Sequence, residues 1–215
     1  MDRRDSFCGT PDFGEAAGQV GGRAKWYTER MQTVFFTGKG DGGESVVGKK
    51  KIGKDDAVLG FLGSLDELNS IVGWSGISVG DAGGEVSSSS VLRRIQEALF
   101  ILQAEIAGTL FGNPAAKTIG PEHTAYLENV IKEIDKEVPP ITKFIVPGGC
   151  ESAARIDIAR AVSRRVERDA VVMMKNFEVS PEVMAFLNRL SSALFALARY
   201  ENHKKGIPEA HPTYE

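Results

Sequence analysis

Cysteine is nearly absent. Two occur in 215 residues, Cys8 and Cys150, at a separation that matches no metal or redox spacing, so a reducing cytoplasm is the default setting. Histidine is equally scarce. His123, His203 and His211 are scattered, with no HExxH or comparable pair, which argues against a histidine-built zinc site. No apolar run approaches the ~20 residues that a membrane-spanning helix requires. An excess of one charge is also lacking: 26 Lys and Arg against 29 Asp and Glu leave a net charge of −3. No global basic field therefore draws the chain to nucleic acid, and no aromatic platform accompanies its arginines. A Walker A loop, GxxxxGK[ST], does not occur.

What is present is helical periodicity behind a polar start. Residues 1–32 are glycine-rich and polar, with Asp2, Asp5, Asp12 and Glu15 among the arginines. They lack the apolar centre of a secretory signal and carry acids that a transit peptide avoids, so a flexible tail is expected there. Next comes an apolar run into a loop, Thr37-Gly38-Lys39-Gly40-Asp41-Gly42-Gly43-Glu44-Ser45. Glycines let backbone N–H groups approach an anion, as in phosphate-binding nests. Gly38, Gly40 and Gly43 formally satisfy GxGxxG, but Ser45 to Gly53 reads as a hairpin or loop rather than the helix that a dinucleotide fold needs. Read alone, the segment is a glycine-rich turn between two short strands.

From Asp55 the pattern turns helical, with Asp55 or Asp56 as cap. Val58, Leu62, Leu65, Leu68, Ile71 and Val72 form the apolar face, with Asp66 and Asn69 inside it. Residues 75–90 read as a glycine- and serine-rich loop. A second helix is expected over about 91–111, with Leu92, Ile95, Leu99, Leu102, Ile106 and Leu110 inward, and a third from Pro121 to about Val138, stopped by Pro139-Pro140. A short apolar run, Ile141 to Val146, then meets a Pro-Gly-Gly turn. A fourth helix follows, whose buried stripe is Ile156, Ala159, Ser163, Val166 and Ala170. Ser180-Pro181 opens the fifth, with Val183, Leu187, Leu190, Leu194 and Leu197 inward. Five amphipathic helices with little strand bury their stripes economically only as a bundle, so the fold class is all-α. Domain limits of 1–32, 33–202 and 203–215 follow.

The fourth helix carries the chemistry. Asp157, Arg160, Arg164, Glu167 and Arg168 lie on the arc beside its buried stripe. Arginines so placed are partly desolvated and make planar, bidentate contacts, which suits a polyphosphate. The same pattern also describes a helix laced with i,i+3 and i,i+4 ion pairs. Asp66, a carboxylate beside a buried stripe, needs a partner, and an arginine of this helix is the natural one. Phe144, read alone, is a core aromatic.

These pieces, in this order, resemble the PduO-type ATP:cob(I)alamin adenosyltransferases. The matching segments are Thr37 to Ser45, Lys54-Asp55-Asp56, Gly63-Ser64-Leu65-Asp66-Glu67-Leu68-Asn69, Phe144 to Gly149, Ala159 to Arg168 and Leu187-Asn188-Arg189-Leu190-Ser191. The resemblance implies a five-helix bundle, ferritin-like and up-and-down, assembled as a homotrimer with active sites between subunits. It implies transfer of the 5′-deoxyadenosyl group of ATP to the Co(I) of cobalamin, with release of triphosphate and with magnesium accompanying ATP. It assigns ATP contacts to Thr37, Gly38, Lys39, Gly40, Asp41, Gly43, Ser45, Lys54, Arg164 and Asn188. The cobalamin side falls to Asp66, Asn69, Arg160 and Phe144. Asp66 and Arg160 form an ion pair, and Phe144 wedges against the lower corrin face. Asp66, Arg160, Arg164 and Phe144 form the implied catalytic set. A reductase and a cobalamin-dependent acceptor enzyme are the implied partners. Four positions depart from the family pattern: Gly42 stands for a lysine, Val58 for an arginine, Asp157 for a histidine and Ser192 for an aspartate. These departures motivate an alternative, a catalytically impaired ATP- and corrinoid-binding carrier or sensor. An RNA-binding arginine helix is a third reading, disfavoured by the net charge.

Overall fold

The computed structural model describes residues 38, 40–47, 50–80 and 86–214. Its internal contacts divide the chain into two compact units, Met1–Asp41 and Gly42–Glu215. All the regular structure among the described residues lies in the second. Strands β1 (Glu44–Val47) and β2 (Lys50–Gly53) pair antiparallel, with Glu44 opposite Gly53 and Ser45 opposite Ile52. Five helices follow: α1 (Ala57–Ile77), α2 (Ser88–Phe111), α3 (Pro121–Glu137), α4 (Glu151–Met173) and α5 (Pro181–Lys204). The expected all-α bundle is thus the observed one.

Local chemistry sets the helix limits. Asp56 caps α1 by accepting the Val58 N–H at 2.8 Å. The serines expected to lie in a loop instead start α2: Ser87 is its N-cap, accepting the Ser90 N–H, and Ser88 is already helical. Serine is a poor helix-interior residue but a good cap, because its short hydroxyl reaches an orphan N–H of the first turn. At the start of α3, Pro121 takes the first helical position and His123 Nδ1 accepts the Gly120 N–H at 3.0 Å. At α5 the expected serine cap is geometric only. Ser180 is extended ahead of Pro181, yet its hydroxyl makes no capping bond.

The stripes meet as their spacing requires. α1 packs on α2 and α4, and α5 packs on α3 and α4. Ile156, Ala159, Ser163, Val166 and Ala170 of α4 are all buried, as are Val183, Leu187, Leu190, Leu194 and Leu197 of α5. Small residues on α4 let its backbone come close to both neighbours. Helices α1 and α4 run antiparallel in a fixed register. Ser64 Oγ donates to Asp169 at 2.8 Å, Glu67 pairs with Arg165, and the Arg155 guanidinium donates to the Trp74 carbonyl at 3.1 Å and stacks on its ring.

The end of the bundle where α2 and α4 begin and α5 finishes is closed by a buried polar cluster. Glu201, 1% exposed, accepts from Ser88 Oγ at 2.6 Å and Ser152 Oγ at 2.8 Å and pairs with Lys204 at 2.7 Å. Burial alone would raise its carboxyl pKa. The hydrogen bonds from Lys204, Ser88 and Ser152 and the Lys204 charge outweigh burial and hold it below the usual carboxylate value.

Candidate active site

The Pro147-Gly148-Gly149 turn reverses the chain into α4. Gly148 and Gly149 have φ of 129° and 100°, a region that side chains rarely adopt, so the two glycines are what allow the reversal. α4 has no side-chain cap of its own. Asn202 serves instead, its Oδ1 accepting the Cys150 N–H at 2.9 Å and its Nδ2 donating to the Gly148 carbonyl at 2.8 Å. Asp157, nearly two turns into α4, reaches back to the Gly148 N–H at 3.1 Å and holds Arg160 Nε at 2.9 Å. Asp157 and Arg160 are only 12% and 23% exposed, so the pair is partly desolvated and well fixed.

This pair lines a cavity of about 360 Å³ together with Phe144, Pro147, Phe195 and Asn202. The Arg160 guanidinium sits 5.9 Å above the Phe195 ring. Phe144 stands at the cavity edge with 80% of its surface exposed. It is therefore not the core aromatic that its local sequence suggests. Loop residues 141–147 have no helical face to bury, and the ring projects into solvent.

Two turns further along α4, Glu167 accepts from Asn188 Nδ2 of α5 at 2.8 Å. Arg164 lies between this contact and the Asp157–Arg160 pair. Its side chain is exposed, and its guanidinium has no partner among the described residues; only its backbone carbonyl is engaged, by Arg168 at 3.1 Å. Arg165, on the other flank, is committed to Glu67. The helix thus uses most of its arginines as ion-pair ties, as the plainer reading of the sequence had it, and leaves Arg164 open. An exposed guanidinium with five unshared N–H donors fits the oxygens of a phosphate group.

Not all the expected site residues come together. Phe144 and Arg160 share one cavity, and Arg164 and Asn188 share one face. The Asp66–Arg160 pair does not form within the chain. The α1–α4 register places Asp66 level with the region of Glu167, about two helical turns, or ~10 Å, from Arg160. Asp66 is exposed without a partner among the described residues, whereas Arg160 is held by Asp157. Asn69 is a core residue, 4% exposed; its backbone carbonyl accepts from Gln96 at 3.2 Å, and its buried side-chain Oδ1 has no hydrogen-bond partner among the described residues. Thr37 and Lys39 lie outside the described residues. Gly38 accepts the Asp41 N–H in a turn, Gly43 accepts the Lys54 N–H at 2.9 Å, and Ser45 pairs with Ile52 in the hairpin. Val58 is buried in the core, which is where its apolar side chain belongs.

Sequence reasoning did not assign roles to Phe195, Asn202 or Glu167. Nothing in local spacing marks Asn202 as a cap for a helix that starts 51 positions earlier. The spacing places Asp157 on the charged arc, but it assigns neither its bond to the turn nor its pair with Arg160, whose expected partner is Asp66.

Comparison with known proteins accords with this arrangement. Residues 35–201 match the family described as cobalamin adenosyltransferase. The corrinoid adenosyltransferase of Bacillus subtilis is 33% identical over 173 residues, covering 80% of this chain and 89% of that protein. The human corrinoid adenosyltransferase MMAB is 33% identical over 191 residues, covering 85% of this chain and 74% of its own. Among solved structures, a variant PduO-type ATP:corrinoid adenosyltransferase from Lactobacillus reuteri, complexed with cobalamin and ATP, superimposes with a TM-score of 0.76. It is 32% identical and the match covers 83% of this chain and 98% of that one. With a bundle of this shape, the turn and the arginine helix in place, the chain belongs to the cobalamin adenosyltransferase family.

Proposed function

We propose that the chain transfers the 5′-deoxyadenosyl group of ATP to the Co(I) centre of cobalamin or a related corrinoid. The cobalt electron pair forms the bond to C5′, the C5′–O bond breaks, and its electrons leave with triphosphate. Co(I) is itself a strong nucleophile, so the protein needs no serine or cysteine nucleophile. Its tasks are to align C5′ with cobalt and to stabilise the departing negative charge. The observation that carries this reading is Arg164, whose guanidinium has no partner among the described residues and which stands on α4 between Arg160 and Glu167, the residue that Asn188 of α5 contacts. Arg164 takes the triphosphate, with Lys39, Lys54 and the backbone N–H groups of the glycine loop. Thr37, Gly38, Gly40, Asp41, Gly43, Ser45 and Asn188 complete the ATP side.

Magnesium enters as the counter-ion of ATP. No group of three or more His, Cys, Asp or Glu side chains lies together among the described residues. A magnesium ion carried by phosphate oxygens and water needs only one or two protein ligands.

Phe144 is the wedge on the corrin side, beside Arg160. Removing the lower axial ligand from cobalt lowers the orbital that the incoming electron must enter, and so eases reduction to Co(I). The assembly is a homotrimer with its sites between subunits. Exposed Asp66 lies on one stripe of α1 with Ser70, Trp74 and Ile77, also exposed. Asp157 occupies only the Nε side of Arg160, so the terminal nitrogens of that guanidinium suit the Asp66 carboxylate of another copy. Asn69 then supports α1 from the core rather than touching cobalamin. The protein works in the cytoplasm, supplied with Co(I) by a reductase and delivering its product to a cobalamin-dependent enzyme.

The test is adenosylcobalamin formation from ATP, magnesium and chemically reduced cob(I)alamin, followed by absorbance. Turnover by the wild type and its loss in Arg164→Ala is the expected result. Binding of ATP and corrinoid without a cobalt–carbon bond would leave a carrier or sensor instead.

A further inference from the structure

The family match ends at residue 201, yet the chain beyond it is tied back to the loop that bears Phe144. Val146 N–H donates to the Ala210 carbonyl at 2.8 Å, and His211 Nδ1 lies 2.8 Å from the Phe144 carbonyl. Asn202 bridges Gly148 and Cys150, as described above. Arg199, buried, donates to the Pro139 carbonyl at 2.6 Å and pairs with Glu209. Loop 139–150 is therefore held at five backbone positions by groups from residues 199–211. Two of these positions are Phe144, which bears the exposed ring, and Val146 two residues on.

Core packing does not explain the outermost ties. Ile207 packs against the core, but Ala210 and His211 are exposed. Their two bonds to the loop fix backbone and little else. A ring that must press on a flat macrocycle needs a stiff backbone behind it, because an exposed phenylalanine on an untied loop swings aside when loaded.

We propose that Asn202 and the segment Glu209–His211 are positioning residues for the corrinoid side of the site, holding the loop so that Phe144 keeps its wedge posture. This inference rests on the reading of Phe144 given above. The experiment compares wild type with His211→Ala, His211→Asn and Phe144→Ala. The asparagine amide nitrogen takes the place of Nδ1 and still donates to the Phe144 carbonyl. The readout is the fraction of four-coordinate cob(II)alamin formed with ATP and magnesium, measured by electron paramagnetic resonance, alongside the KM for ATP. His211→Ala should lower that fraction roughly threefold to tenfold, as expected for one lost hydrogen bond, with KM for ATP unchanged. His211→Asn should restore most of it. An unchanged fraction in His211→Ala, with the signal lost in Phe144→Ala, overturns this inference alone. An unchanged signal in Phe144→Ala removes the wedge reading and this inference with it.

Discussion

Two clusters that both draw on α4 and α5 behave oppositely. At the Glu201 end, the carboxylate, Lys204, Ser88 and Ser152 satisfy one another inside the chain, nearly out of reach of water. Along the outer face of α4, the Arg164 guanidinium has no partner among the described residues, and Phe144 stands in solvent at the head of the helix. What differs is whether partners lie within one subunit. A cluster closed on itself locks the bundle. A cluster left open is available for a ligand or for another copy.

Four substitutions separate the two behaviours, the largest effect first. Glu201→Ala breaks a buried pair and strands Lys204, so it should cost about 3–5 kcal/mol of stability. Thermal unfolding would register this as a drop of about 2–4 °C for each kcal/mol. Arg164→Ala should do the reverse: the melting temperature stays put, while adenosylation falls by about 10²–10³-fold, the scale of losing one contact to a developing anion. If Arg164→Ala unfolds the protein, the contrast between locked and open clusters is lost.

The acid limb of stability sharpens the comparison further. The Glu201 carboxyl is held below its ordinary value of 4.5 in the folded chain. Its contribution is therefore fully present above that value and disappears as pH falls through the lower folded pKa. Urea midpoints measured down the acid range should fall less steeply for Glu201→Gln than for wild type. The smallest effect belongs to Arg165→Ala. Its pair with Glu67 is exposed, so the loss should be about 0–1 kcal/mol, with turnover close to wild type. Two neighbouring arginines on one helix would then divide into a surface tie and a substrate contact.

Much of the fold could be read from the chain because helical stripes are local. Leu187, Leu190, Leu194 and Leu197 go inward whatever the partner helix is, since burial depends on spacing and apolar area. The serines before α2 were misread because polar composition resembles a loop until the N-cap geometry is known. The arginine helix was legible as a pattern, but not which of its arginines stays open. That depends on register: Glu67 meets Arg165 and Asn188 meets Glu167 only because α1, α4 and α5 pack at one particular offset.

The sequence by itself determined the five helices, their inward faces, the Pro-Gly-Gly reversal and the family motifs. All of these rest on interactions between residues near in the chain or on residue types that no other residue replaces. Tertiary structure alone decided that Asp66 cannot reach Arg160 in its own chain and that Phe144 is exposed. It also decided that Asn202 caps α4 and that residues 209–211 return to the Phe144 loop. These contacts join positions tens of residues apart, and their distances are fixed by helix packing rather than by any spacing along the chain.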